Sequence, residues 1–203
     1  MHSDFWIERW RENRIGFHEG KPNGYLEHHV ARLGERRRVL VPMCGKSYDL
    51  AFLAAQGHTV IGIELVEDAV RAFFDERMIT PAVERRDLHA EYTAGPITIF
   101  AGDLFAITRE HVGAVDALYD RAAIVALPPE LRPSYAAHIR SLLAPASPAL
   151  VVSLEYPDGV KQPPPFSVPD AELASLYGAG ELLEQGPDLR IPGGIERCFF
   201  ITL

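Results

Sequence analysis

Cysteine is almost absent from this 203-residue chain: there are 2, Cys44 and Cys198, far apart in sequence. They supply no CxxC pair and no disulfide framework, so a reduced, cytoplasmic protein is expected. Metal-ligand spacing is missing too: none of the 8 histidines forms an H-E-x-x-H pair, and no metal is expected. No G-x-S-x-G elbow provides the start of a hydrolase triad. No apolar run approaches the ~18 residues of a membrane span, and the opening MHSDFWIERWREN carries no apolar signal core. Basic residues are in the minority, 20 against 28 acidic, for a net charge of −8. Sequence-independent nucleic-acid binding relies on the opposite sign. Neither nucleic acid nor membrane is therefore expected as a partner. Repeats and low-complexity linkers are also absent, so one domain over residues 1–203 is expected.

At 47% hydrophobic, the chain is long enough to bury a sizeable core. Short β-rich runs alternate with helical patterns. Residues 38–43, RVLVPM, read as a buried strand, 47–56 as a helix and 59–65 as a second strand. A helix follows, with Ala69, Val70, Phe73 and Phe74 at helical spacing. Residues 97–101 and 115–119 read as strands, 133–143 as a helix and 149–154 as a further strand. The tail reads as a helix over 171–177 and two strands, 181–184 and 197–203. Strands separated by helices predict an α/β fold: a doubly wound, mostly parallel sheet with an antiparallel C-terminal edge hairpin. Ligands of such sheets bind at the carboxyl ends of the strands. Two helical patterns, 4–13 and 23–33, precede the first strand. They form a helical region over 1–35 that is expected to act as a lid.

The turn after the first strand reads Met43-Cys44-Gly45-Lys46-Ser47 and contains the last three letters of a P-loop. A P-loop needs a glycine five residues before its GK[ST] glycine, and that position is Leu40, inside the strand. A dinucleotide fingerprint needs three glycines where this loop has one. Both pyrophosphate readings fail. The ligand instead approaches a single glycine at a strand end.

Four other features surround that turn. Glu64 ends the second strand, 19 residues after Gly45. Acidic residues near this spacing accept hydrogen bonds from ribose hydroxyls, although a solvated strand-end glutamate looks the same in sequence. Asp103, after TIFAG, suits either an adenine amino group or the N-cap of a helix starting near Leu104. Arg121, following VDALYD, is placed over the ligand crevice or in an ion pair with a neighbouring acid. Trp6 and Trp10, four apart, share one face of the first helix, where they either pack onto the sheet or face the ligand.

Together, LVPMCGKSYDLAFLAAQGHTVIGIEL, YDRAAIVALPPELRPSYAAHI and PPPFSVP resemble the bacterial thiopurine S-methyltransferases, in the same order and over nearly the whole chain. The resemblance implies a class I, Rossmann-like methyltransferase whose cofactor is S-adenosyl-L-methionine. It carries the family's cofactor contacts onto Trp6, Trp10, Met43, Glu64, Asp103, Leu104 and Arg121. It makes Phe17 an acceptor contact and gives Arg121 a part in orienting the acceptor. It also implies a small-molecule thiol substrate, such as a thiopurine. A monomer is expected. Met43 stands where relatives usually have Leu, and Val66 where Ser is frequent. The loop over 186–194 is shorter than the family's, so neither Arg190 nor Arg197 takes a family role from it. Other readings are a thiol, halide or thiocyanate methyltransferase, or one acting on selenium or tellurium compounds. A nicotinamide-dependent oxidoreductase would share the fold but lacks the glycine fingerprint. A non-catalytic nucleoside-binding module would need Glu64 but not Arg121.

Overall fold

The computed structural model describes residues 3–12 and 18–203. Phe17, the acceptor contact implied by the resemblance, lies outside them. Helix α1 (Ser3–Arg11) and helix α2 (Gly24–His29) come first. Asn23 caps α2, its side chain accepting from the Tyr25 N–H. The single helix expected over 23–33 stops at His29 and tightens into a 3-10 turn, Val30–Leu33, that closes at Gly34 with φ +84°. Strand β1 (Arg38–Pro42), helix α3 (Tyr48–Ala55) and strand β2 (Thr59–Glu64) follow as read. Ser47 caps α3 by accepting from the Asp49 N–H. Helix α4 (Glu67–Asp75) buries Ala69, Val70, Phe73 and Phe74, the four residues whose spacing marked it.

Next come β3 (Ala82–Arg85), β4 (His89–Ala94) and β5 (Ile97–Gly102). Short helix α5 (Arg109–Val112) leads to β6 (Ala117–Arg121), α6 (Arg132–Leu142) and β7 (Pro148–Glu155). Helix α7 (Asp170–Tyr177), β8 (Glu181–Asp188) and β9 (Gly194–Thr202) complete the chain. The nine strands form one sheet in the order β3-β4-β5-β2-β1-β6-β7-β9-β8. The central run β5-β2-β1-β6-β7 is parallel. The expected antiparallel hairpin, β8 and β9, pairs along β7. A second antiparallel pair, β3 and β4, edges the sheet beyond β5; the sequence reading did not include it. All four residues of β3 are exposed, so it has no apolar face to alternate with.

Alternate residues of each central strand feed two cores. Leu40, Ile61, Leu118 and Val151 pack with Tyr135 and Ile139 of α6 and Leu173 of α7. Val39, Val60, Ile99 and Leu150 pack with Leu50 and Leu53 of α3 and Phe73 of α4. Helices therefore cover both faces. Among the described residues, no helix is long and apolar enough to cross a membrane. Strand order reverses at β1, which lies between β2 and β6, and the crevice expected of such a sheet opens at that point.

Candidate active site

The ends of β1 and β2 are built around each other. After Pro42 the chain turns sharply: Met43 has φ +49° and Gly45 φ +53°. A left-handed Met43 is uncommon for a residue with a side chain, and such residues concentrate at functional sites. The turn is held by the Cys44 N–H, which donates to the Ile63 carbonyl at 3.1 Å. Gly62 makes the approach possible, because a Cβ there would lie 2.8 Å from Cys44 Sγ and 3.2 Å from Ile99. The three P-loop letters are all used within the protein. The Gly45 N–H donates to Glu64 Oε2 at 2.8 Å, Lys46 Nζ pairs with Glu76 at 2.5 Å, and Ser47 caps α3.

Glu64 is 6% exposed. Its second oxygen, Oε1, accepts from the Val66 N–H at 2.8 Å. Burial pushes its carboxyl above the usual range, and the N–H groups of Val66, Gly45 and Leu65 pull it back. A carboxylate offers about four acceptor sites, so these backbone N–H groups leave capacity for a ligand. Asp103 performs the capping role: its Oδ1 accepts from the Phe105 N–H at 3.0 Å. It also lines the cavity described below.

β6 ends two residues later than the expected 119, so Arg121 is its last residue rather than lying beyond it. Ala122, at φ +62°, turns the chain away. The Arg121 side chain is 9% exposed and ion-paired through Nη2, and the paired acid is Glu19 rather than its neighbour Asp120. Glu19 also accepts from Asn23 Nδ2 at 3.3 Å. The Asn23 N–H in turn donates to buried Asp49 at 2.7 Å, and Asp49 accepts from the Tyr119 hydroxyl at 3.0 Å. Residues 18–23 are thus tied to α3 and to β6 directly beside Arg121. Asp120 points the other way. It is fully buried, accepting from the hydroxyls of Tyr135 and Tyr177 at 2.8 and 3.2 Å and from the Ile124 N–H at 3.2 Å.

These strand ends open into one cavity of about 430 Å³, within the range of ligand pockets. Trp6, Trp10, Met43, Glu64, Asp103, Leu104 and Arg121 all line it. A smaller pocket of about 30 Å³ adjoins it at the Gly45 turn and shares Trp10, Met43 and Arg121. Helix α1 lies over the larger cavity through Trp6, Arg9 and Trp10. Leu127, Leu131, Pro164 and Pro165 also line it. The Tyr156 hydroxyl donates to the Pro165 carbonyl at 2.6 Å. Phe166, which the sequence grouped with these prolines, does not line the cavity and lies 5.9 Å from the Arg132 guanidinium.

The description of the Thiopurine S-methyltransferase (TPMT) family matches residues 1–190. The chain belongs to the thiopurine S-methyltransferase family. The Thiopurine S-methyltransferase of Pseudomonas paraeruginosa is 47% identical over 198 residues, covering 94% of this chain and 90% of that protein. That of Azotobacter vinelandii is 46% identical over 180 residues, 88% of this chain and 83% of its own. Among solved structures, a 1,6-didemethyltoxoflavin-N1-methyltransferase from Burkholderia thailandensis aligns with TM-score 0.66 and 18% identity. It covers 99% of this chain and 87% of that one. A TehB-like SAM-dependent methyltransferase from Corynebacterium glutamicum aligns with TM-score 0.59 and 16% identity, over 100% and 98% of the two chains. The protein is an S-adenosylmethionine-dependent methyltransferase of class I fold.

In this thiopurine S-methyltransferase fold, several cavity residues were not read from the sequence. Lys161, Asp188, Arg190 and Glu196 line the wall beyond β7, and Arg9 lines it from α1. Apart from Arg9, they come from loops and an edge hairpin, whose lengths set no motif spacing. Arg190 Nη2 contacts Asp188 Oδ2 at 2.8 Å. Arg197 points elsewhere, pairing with Glu155 at 2.6 Å and Asp170 at 3.3 Å. The loop thus offers the cavity Arg190 and not Arg197. Two histidines, His58 and His89, are buried. His18 lines the small pocket, and burial, with Lys46 adding to it, holds its imidazole below the usual range. Both cysteines are buried, and burial pushes the Cys44 thiol well up and the Cys198 thiol up to about 12, which favours the un-ionised form. Among the described residues, no group of three His, Cys, Asp or Glu is placed to hold a metal.

Proposed function

We propose that the enzyme transfers a methyl group to the sulfur of a small, ionisable thiol of the thiopurine kind. The observation that carries this reading is the division of the cavity by the sheet. On the β2 and β5 side stand Glu64, buried at a strand end, and Asp103; on the β6, β7 and β9 side stand Arg121, Arg190 and an apolar wall. The first half suits an adenosyl group, with Glu64 accepting from the ribose hydroxyls and Leu104 and Asp103 at the adenine. Its buried carboxylate and the close turn permitted by Gly62 fit that ligand. The second half suits a flat, anionic acceptor. When bound, the donor supplies an electrophilic methyl on a sulfonium centre.

The chain's own residues then have modest tasks. Trp6 and Trp10 present aromatic faces of the kind that favour a cation. Arg121 favours an anionic acceptor electrostatically and orients it. The α1 helix and the Pro164-Pro165 wall exclude water and hold the thiolate in line. Such alignment is worth up to ~7–11 kcal/mol in favourable cases. The thiol's own ionisation supplies the nucleophile, so no protein base and no covalent intermediate are invoked.

The test is the affinity for S-adenosylhomocysteine. Glu64→Ala removes charge-assisted bonds worth roughly 1.5–3 kcal/mol each and should raise Kd by about 10-fold or more. Glu64→Gln keeps the size and one acceptor oxygen, and should fall between the two. An unchanged constant in both variants removes Glu64 from the donor site.

A further inference from the structure

Four carboxylates line the main cavity, and the protein treats one of them differently. Glu64 holds two backbone N–H groups at 2.8 Å each. Asp103 caps the turn after β5. Asp188, with its side chain 1% exposed, is enclosed by Arg190, accepting from its N–H, Nε and Nη2 at 2.7, 3.0 and 2.8 Å. Glu196 has only one side-chain bond among the described residues, a 3.4 Å contact from Arg190 Nη2 to Oε1. Its side chain is 20% exposed. Its backbone is fixed between Leu154 of β7 and Gly186 of β8, so the carboxylate is presented from a rigid strand. Acceptor capacity is left over on a partly desolvated anion inside a ligand cavity.

The position also separates Glu196 from the donor. From β2, which carries Glu64, to β9 there are four strand spacings, through β1, β6 and β7. At ~4.8 Å each this is about 19 Å. The two carboxylates therefore meet different ligands or opposite ends of the reacting pair. The wall beside Glu196 includes apolar Ile191, Leu154 and Pro164, which suit a flat ring. Burial pushes the Glu196 carboxyl up, while Arg190 and then Arg121 pull it back, and Asp188 and Glu19 push it further up. A half-buried carboxylate of this kind gains from a ligand N–H and loses when a ligand covers it without one.

We propose that Glu196 is the hydrogen-bond acceptor that selects heteroaromatic thiols bearing a ring N–H over thiols that lack one. This rests on the thiol-methylation reading above. A fused imidazole thiol keeps one ring N–H after its thiol has ionised, so the recognised group survives into the reactive form.

The probe pair is 2-mercaptobenzimidazole and 2-mercaptobenzothiazole, of like shape, in which the second replaces a ring N–H by sulfur. The readout is the ratio of their kcat/KM values at one pH; comparing that ratio between enzymes cancels their different acidities. In Glu196→Leu the ratio should fall about 10-fold, mainly through KM for the benzimidazole. Glu196→Ala should repeat the loss with a smaller side chain. Glu196→Gln, which keeps a carbonyl acceptor, should recover part of the ratio. Unchanged S-adenosylhomocysteine affinity in the variants is expected, since the donor half is distant. A ratio unchanged in Leu and Ala variants, or both thiols losing rate equally, overturns the role of Glu196 alone. Failure of the wild type to methylate either thiol overturns the thiol reading together with it.

Discussion

Asp120 stands next to Arg121 in sequence yet faces the opposite layer, where its carboxyl is pushed up to about 6 by burial despite donors from Tyr135, Ile124 and Tyr177. Its ordinary value is 3.8, so the folded-state value is raised, and the charged form is the one the fold disfavours. The stabilising contribution is therefore complete below about pH 4 and is lost as pH rises through about 6. Asp120→Asn removes the titration while keeping an acceptor for the tyrosines. Its stability relative to wild type, from urea unfolding, should improve between pH 4 and 6 and stay level above. A difference that does not vary with pH would show that Asp120 is not titrating in this window. Residues at strand ends were the legible part of the site. Glu64, Asp103 and Arg121 announce themselves because a β-rich run stops beside them. Arg190 and Glu196 could not, because only the closure of the β8–β9 hairpin brings them to the cavity.

Elements were readable where burial imposed a period. α4 shows its apolar face in sequence, and β1 and β2 are buried on both sides and read as continuous apolar runs. β3 fails that test, being exposed throughout, and β4 alternates only weakly, burying His89, Ala90 and Tyr92. β8 was read four residues short because its second half, Gln185-Gly186-Pro187-Asp188, is polar and holds a proline. An edge strand tolerates that proline. Helix α1 makes the sharpest element-scale prediction. It has no strand partner, lies over the cavity through Trp6, Arg9 and Trp10, and is followed by Glu19 bonded to Arg121. As a lid, it should close on the bound donor. Hydrogen exchange over residues 5–12 and 18–23 should slow about 10-fold with S-adenosylhomocysteine, while β5 stays unchanged. Equal exchange with and without ligand would make α1 a permanent cap.

At the scale of the whole molecule, five parallel strands between two antiparallel edges carry two cores, and the reversal at β1 fixes where ligands meet. The order of strands and helices in the centre followed from the alternation of patterns. The second antiparallel edge did not, because edge strands need less apolar surface to be stable. On the proposed reading, the donor lies on the β2 side of the reversal, the acceptor on the β6–β9 side, and the methyl moves to sulfur between them. The most direct measurement supplies the protein with S-adenosylmethionine labelled with ¹³C in the methyl group, together with 6-mercaptopurine, and follows the product by NMR. The expected result is one labelled product, whose methyl resonance is that of an S-methyl group, and a rate that falls sharply in Arg121→Lys, which keeps the charge but loses the planar fork. A labelled N-methyl product, or no transfer to the thiopurine at all, would contradict it.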